Sequence, residues 1–126
     1  SFYVYPIENF PVGQGADGFA INTNHLKDID NFYEKVVKDK NELFLNDDLW
    51  ISYFLYFLKK TKIYSLQQHL KKKNNDKPTL IYQKHINEPG LIDSYGKNAD
   101  EAYNKRNKIL AESFKYMKEK TKGLNF

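Results

Sequence analysis

The sequence contains no cysteine, which excludes disulfide bonds, thiolate catalysis and cysteine-bound zinc. Arginine is almost absent as well: Arg106 is the only one, and lysine supplies the rest of the positive charge behind a net charge of +4. Proteins that read nucleic acids usually depend on arginine forks for phosphates and base edges, so the composition argues against nucleic acid as a partner. No apolar run approaches the ~20 residues that cross a bilayer, and the sequence therefore predicts no membrane span.

The beginning of the chain, from Ser1 to Pro6, has neither a basic stretch nor a small-residue cleavage site, which predicts that no signal peptide is present. We therefore expect a cytoplasmic location, in the host cell if the source is a virus. The missing initiator methionine predicts a processed or excised piece of a longer protein. The 126 residues suit one domain, and a hydrophobic content of 40% with 16% aromatics provides for a packed core.

Hydrophobic periodicity predicts three helices. The first carries an apolar face over residues 25–38. The second begins at Asn46 or Asp47 and is apolar on nearly every side up to Leu58, so it should be central and buried. The third is amphipathic, begins at Asp100 and lasts about 20 residues.

Residues 1–22 are expected to be extended or loop structure, with Phe19–Ile21 as one short strand, and residues 61–66 and 78–82 are expected to be short extended pieces. Residues 39–42 should form a polar connection between the first two helices. Together these elements predict a helix-rich α+β protein with a few short strands, organised as a single domain over residues 1–126.

A pair of carboxylates, Asp47 and Asp48, immediately precedes the most apolar helix. Asn46 or Asp47 would cap that helix, and both acids would complement the positive end of its dipole. A carboxylate held at the start of a rigid buried helix is also suited to act as a general base. Both interpretations stay open on local grounds, because one acid can cap while its neighbour faces a substrate.

Three glycines, Gly13, Gly15 and Gly18, have the G-x-G-x-x-G spacing and allow a tight turn or the close approach of a ligand. A dinucleotide-binding motif with this spacing would follow a buried strand and open a helix. Here Pro11 interrupts the preceding residues and a short strand is expected afterwards, so we reject the dinucleotide interpretation. A plain turn is the alternative to a ligand-binding role.

The order of these segments resembles a known family. G-x-G-x-D-G-F-A-I is followed by a helix, by N-D-D-L-W-I-S-Y-F-L and then by K-I-Y-S-L. This order is similar to the C-terminal, acceptor-side half of GT-A-type glycosyltransferases, in particular the family-2-like proteins of bacteria and large DNA viruses. The resemblance covers roughly residues 10–70, and the D-D-x-W block is its most specific part.

The resemblance implies a hexosyltransferase-like transfer of sugar from a nucleotide-sugar donor to a hydroxyl acceptor. Asp48 matches the catalytic base of inverting members, and Asp47 would orient it or bind acceptor hydroxyls. The remaining implied contacts are with the sugars: Gly15, Asp17 and Gly18 would shape the pocket, and Trp50, otherwise a core residue, would stack on a sugar ring.

Complete members of this family also have an N-terminal nucleotide-binding half that ends in a D-x-D motif and works with Mn²⁺ or Mg²⁺. Asp28-Ile29-Asp30 has that pattern, but it falls within the first predicted helix and is interpreted as a solvated face. His85 lies where many such enzymes place a late metal ligand, the alternative being an ordinary loop histidine. We therefore expect the nucleotide-binding half to be absent here and to be a partner, in the longer protein or as a second chain.

Two alternatives belong to other classes. A non-catalytic structural or interaction module could retain this fold without the nucleotide-binding half. The lysine-rich segment 70–77 would instead suit a basic module that binds a polyanion.

Overall fold

A computed structural model of the protein describes residues 2–4, 11–13, 19–64 and 95–126. Strands β1 (Phe2–Val4) and β2 (Pro11–Gly13) pair antiparallel, with Tyr3 opposite Val12. Pro11 is tolerated because it occupies the first position of its strand. Extended structure is confirmed at these two strands, but residues 19–22 are irregular, so the strand predicted over Phe19–Ile21 is wrong, and the observed strand β2 ends at the first glycine, Gly13.

The first predicted helix is present but broken. A 3-10 turn, Thr23–Leu26, is followed by α1 (Ile29–Phe32), which continues into a π-helical turn, Tyr33–Val37. Asp28 separates the two parts because its backbone is left-handed, with φ 68°. The interpretation of Asp28 as part of the helix is therefore wrong, although its side chain is exposed, as expected of a solvated face.

Helix α2 (Asn41–Phe44) replaces the second half of the predicted polar connection over residues 39–42. Its anchor is Leu43, which is completely buried. The polar residues around Asn41 predicted a connection instead of a helix. A four-residue helix with one buried leucine has almost no periodic apolar pattern, so the sequence did not reveal it.

Helix α3 (Asp47–Tyr53) continues into a second π-helical turn, Phe54–Leu58, and confirms the predicted central helix. The burial of this helix is concentrated at Leu49 and at the four residues 52–55, which are all buried. The helix ends at Leu58, and two residues later the backbone of Lys60 is left-handed, with φ 55°. Thr61 then donates through its amide and its hydroxyl to the Leu55 carbonyl, at 3.0 and 2.6 Å. Residues 61–64 are irregular, so the strand predicted over 61–66 is wrong in its described part.

Helix α4 (Ala99–Thr121) has 23 residues and confirms the predicted terminal helix. The Asn98 side chain caps it by accepting the Glu101 amide at 2.9 Å. Glu101 in turn accepts the Lys97 amide at 3.0 Å, so two donors at the helix start are satisfied reciprocally.

The aromatic core centres on Phe32, which is completely buried. Four rings surround it at centroid distances of 5.4–6.2 Å, those of Trp50, Tyr53, Phe54 and Phe126. Helix α3 contacts both β2 and α4, and it thus joins the small sheet to the terminal helix. The described residues thus confirm the predicted helix-rich α+β class as a coarse description, and the likeness to a GT-A fold stays a prediction.

Candidate functional site

The carboxylate pair occupies the first turn of α3, with Asp47 exposed and Asp48 half-buried. Asn46 stands at the N-cap position, but its side chain donates to the Glu42 carbonyl at 2.6 Å and makes no cap hydrogen bond. Asp47 instead accepts the Asp48 amide at 3.0 Å. The local role of satisfying a first-turn amide therefore belongs to Asp47, and the predicted capping by Asn46 is wrong.

Ser52 connects this helix to the beginning of the glycine segment. Its hydroxyl accepts the Gly13 amide at 2.9 Å in a buried hydrogen bond. Ser52 follows Asp48 by four residues, so the two side chains lie on the same face of α3, one turn apart. The face that carries Asp48 is thus the face to which the first glycine is attached.

Phe19 covers Gly13 from another direction. A Cβ atom at position 13 would overlap the Phe19 ring, so any larger residue there would displace that partly exposed side chain. The two residues that flank the segment 14–18 therefore lie against each other, beside Ser52. Gly15, Asp17 and Gly18, which were predicted to shape a sugar pocket, lie outside the described residues, and their roles stay predictions.

Trp50 lies on a different side of the helix. Trp50 is two positions after Asp48 in the sequence, which corresponds to a rotation of about 200° around the helix axis. Its ring is half-buried and packs on Phe32 at 6.2 Å and Tyr33 at 5.8 Å between centroids. These contacts support its core role, and the structure does not bring Trp50 and Asp48 together on one face. Stacking on a sugar stays a prediction.

No group of three histidine, cysteine or acidic side chains suited to a metal ion occurs among the residues that the structure describes. Asp28 of the D-x-D pattern lies 3.8 Å from the Lys59 ammonium group, an ion pair at the far end of the helix from Asp48. His85 lies in the part of the chain that is not described, so its proposed metal contact is untested.

Sequence reasoning missed Ser52. A signal for it was present, because Ser52 is the one small polar residue within the apolar stretch Leu49–Leu58. A hydroxyl in such a place requires a hydrogen-bond partner, since burying it without one costs about 1–3 kcal/mol. The identity of that partner, 39 residues away, could not be read from the local pattern.

None of the helices in the described ranges is long and apolar enough to cross a membrane. Comparisons of this chain with protein-family models, with curated proteins and with solved structures found no match. The arguments about function therefore rest on the order of the sequence segments and on the contacts around α3.

Proposed function

We propose that this chain is the acceptor-side half of a GT-A-type glycosyltransferase, which transfers a sugar from a nucleotide-sugar donor to a hydroxyl acceptor. The observation that supports it best is the buried hydrogen bond from the Gly13 amide to the Ser52 hydroxyl. This bond joins the first glycine of the glycine segment to the helix that begins with the D-D-L-W block, so the two segments that carry the family resemblance meet at Gly13 and Ser52.

The proposed step is an inverting displacement, with Asp48 as the general base. Its carboxylate takes the proton of the acceptor hydroxyl while the hydroxyl oxygen attacks the anomeric carbon. The bond from that carbon to the donor phosphate breaks, and the nucleoside diphosphate leaves with the electron pair. Asp47 orients Asp48 through its hydrogen bond to the Asp48 amide. Because α3 is held on both β2 and α4, its first turn is a rigid support for the base.

A divalent metal, Mn²⁺ or Mg²⁺, would stabilise the charge on the leaving diphosphate. The described residues do not fit that role, because they provide no three-ligand group. In this proposal the metal is held by the nucleotide-binding half, in the longer protein or a second chain, with His85 as an additional ligand. No step assigned to Asp48 depends on it.

The test measures sugar transfer by the full-length protein with a panel of nucleotide sugars, in the presence of Mn²⁺ or Mg²⁺. We expect Asp48→Asn to reduce the transfer rate by about 100-fold or more, the usual contribution of a general base. Asp100→Asn is the control, since Asp100 is also an aspartate in the first turn of a helix but is exposed and lies on α4. Equal rates for wild type and Asp48→Asn would remove Asp48 from its role.

A non-catalytic interaction module is the second candidate, and one observation favours it. Phe44 and Leu45, which are adjacent at the end of α2, remain 57% and 45% exposed. Neighbouring apolar side chains on a surface are a common feature of protein-binding sites. A full-length protein that transfers no sugar from any donor would favour this candidate over the enzyme.

A further inference from the structure

Ser52 is buried to an unusual degree for a hydroxyl residue, with 1% of its surface exposed. Its only recorded side-chain hydrogen bond in the described structure is the one it accepts from the Gly13 amide, at 2.9 Å. A buried backbone amide nearly always has a partner, and in an unbroken ladder that partner would be another backbone carbonyl. Here a helix side chain replaces the carbonyl, so the position of Gly13 depends on α3 directly.

The distance from this attachment to Asp48 is short and set by helix geometry. Four residues of α-helix rise about 6 Å, so the hydroxyl of Ser52 lies one turn from the carboxylate on the same face. Phe19 presses on Gly13 from another direction and leaves no room for a Cβ atom. The first residue of the glycine segment is therefore confined between an aromatic ring and the Ser52 hydroxyl.

We infer that Ser52 is a positioning residue for sugar transfer, which holds Gly13, the first residue of the glycine segment, about one helical turn from Asp48. This inference rests on the proposed function. In such a reaction the acceptor oxygen must lie close to both the base and the anomeric carbon, and a displacement of about 1 Å can reduce the rate by about 100-fold. Ser52 controls that displacement without touching a substrate.

The experiment compares four variants of the full-length protein in the transfer assay. Ser52→Thr retains the hydroxyl, and Ser52→Val has the same shape without it, so this pair separates the hydrogen bond from packing. Ser52→Ala removes the hydroxyl without adding bulk. Ser113→Ala is the matched control, because Ser113 is equally buried, at 1% exposure, but lies on α4.

We expect Ser52→Ala and Ser52→Val to lower kcat by about ten- to 100-fold while the acceptor KM changes by less than about three-fold. Ser52→Thr should keep most of the activity, and Ser113→Ala should behave as wild type. Hydrogen exchange at the Gly13 amide should accelerate in the two variants that lack the hydroxyl, while the amides of α3 and α4 stay protected. If Ser52→Ala does not fold, Ser52→Thr still tests the inference, because a folded variant that keeps the Gly13 amide protected should keep the activity, and loss of activity there would overturn it.

A double variant tests whether Ser52 acts through Asp48. If it does, Ser52→Ala should cause little further loss in an Asp48→Asn background, because residues that act as one unit are not additive. The same fold-change in both backgrounds would overturn the inference, and so would full activity of Ser52→Ala with an accelerated Gly13 amide. In that second case Asp48→Asn would still show its reduced transfer rate, which leaves the proposed function intact. Absence of transfer by the wild type would instead overturn both.

Discussion

A buried pair of hydroxyl groups offers the sharpest test of how the central and terminal helices are held together. The Tyr53 hydroxyl on α3 lies 2.9 Å from the Thr121 hydroxyl at the end of α4. Thr121 also donates to the Met117 carbonyl at 2.7 Å. Because a threonine has one hydroxyl proton and this one is directed to Met117, Tyr53 must be the donor between the two side chains.

This direction predicts unequal costs for the two single substitutions. Tyr53→Phe removes one hydrogen bond, while Thr121 keeps its bond to Met117, so the free energy of unfolding should fall by about 1 kcal/mol. Thr121→Val leaves the buried phenolic donor without an acceptor and should cost about 2 kcal/mol. The double variant leaves no buried hydroxyl without a hydrogen-bond partner, so its free energy of unfolding should fall by only about 1 kcal/mol. The two single costs would sum to about 3 kcal/mol, so the coupling should be about 2 kcal/mol.

The measurement is urea unfolding of the wild type and the three variants at pH 7, followed by circular dichroism and with the m-value checked for constancy. A difference below about 0.5 kcal/mol between the double variant and the sum of the singles would refute the coupling, since independent sites add within that range. A Thr121→Val variant that is no less stable than Tyr53→Phe would refute the assigned direction of the hydrogen bond.

Two further predictions concern stability. Burial raises the pKa of the Tyr53 phenol, although the hydrogen bond with Thr121 and the Lys118 charge lower it in part. The folded state then holds this proton more tightly than the unfolded chain, whose tyrosine pKa is about 10. Tyr53 therefore stabilises fully below pH ~10 and loses this contribution as the pH rises further, so wild type should lose stability more steeply above pH ~10 than Tyr53→Phe. The measurement is urea unfolding at a series of alkaline pH values, and an equal fall in the unfolding free energy of wild type and Tyr53→Phe would contradict this prediction. Asn98→Ala should lower the unfolding free energy by about 1 kcal/mol because it removes the α4 cap, whereas Asn107→Ala, an exposed change within the same helix, should be neutral or slightly stabilising in the same assay.

The helices were predictable where a long apolar pattern repeats. The 23 residues of α4 and the apolar stretch of α3 satisfy that condition, and both are confirmed close to their predicted bounds. Short elements were missed for the opposite reason. The four residues of α2 depend on one buried leucine, Leu43, and the break at Asp28 depends on a left-handed backbone that no local pattern required.

The candidate site was predictable in part. The placement of Asp47 and Asp48 at the start of a buried helix follows from the sequence, because the apolar residues begin immediately after them. The grouping of Trp50 with these acids could have been questioned from the sequence too, since two residues along a helix turn the side chain to the far side. Its ring in fact packs on Phe32 and Tyr33.

The sequence by itself determined the features whose cause is local: the period of the apolar residues and the acidic residues at the start of α3. Only the tertiary structure decided which of those elements meet. The Gly13–Ser52 bond joins residues 39 positions apart, and the Tyr53–Thr121 bond joins residues 68 apart. Each partner is an ordinary hydroxyl or amide whose local surroundings could be satisfied in several ways. Burial decides which partner each group bonds to, because a polar group removed from water forms a hydrogen bond with the partner that the packed elements place beside it.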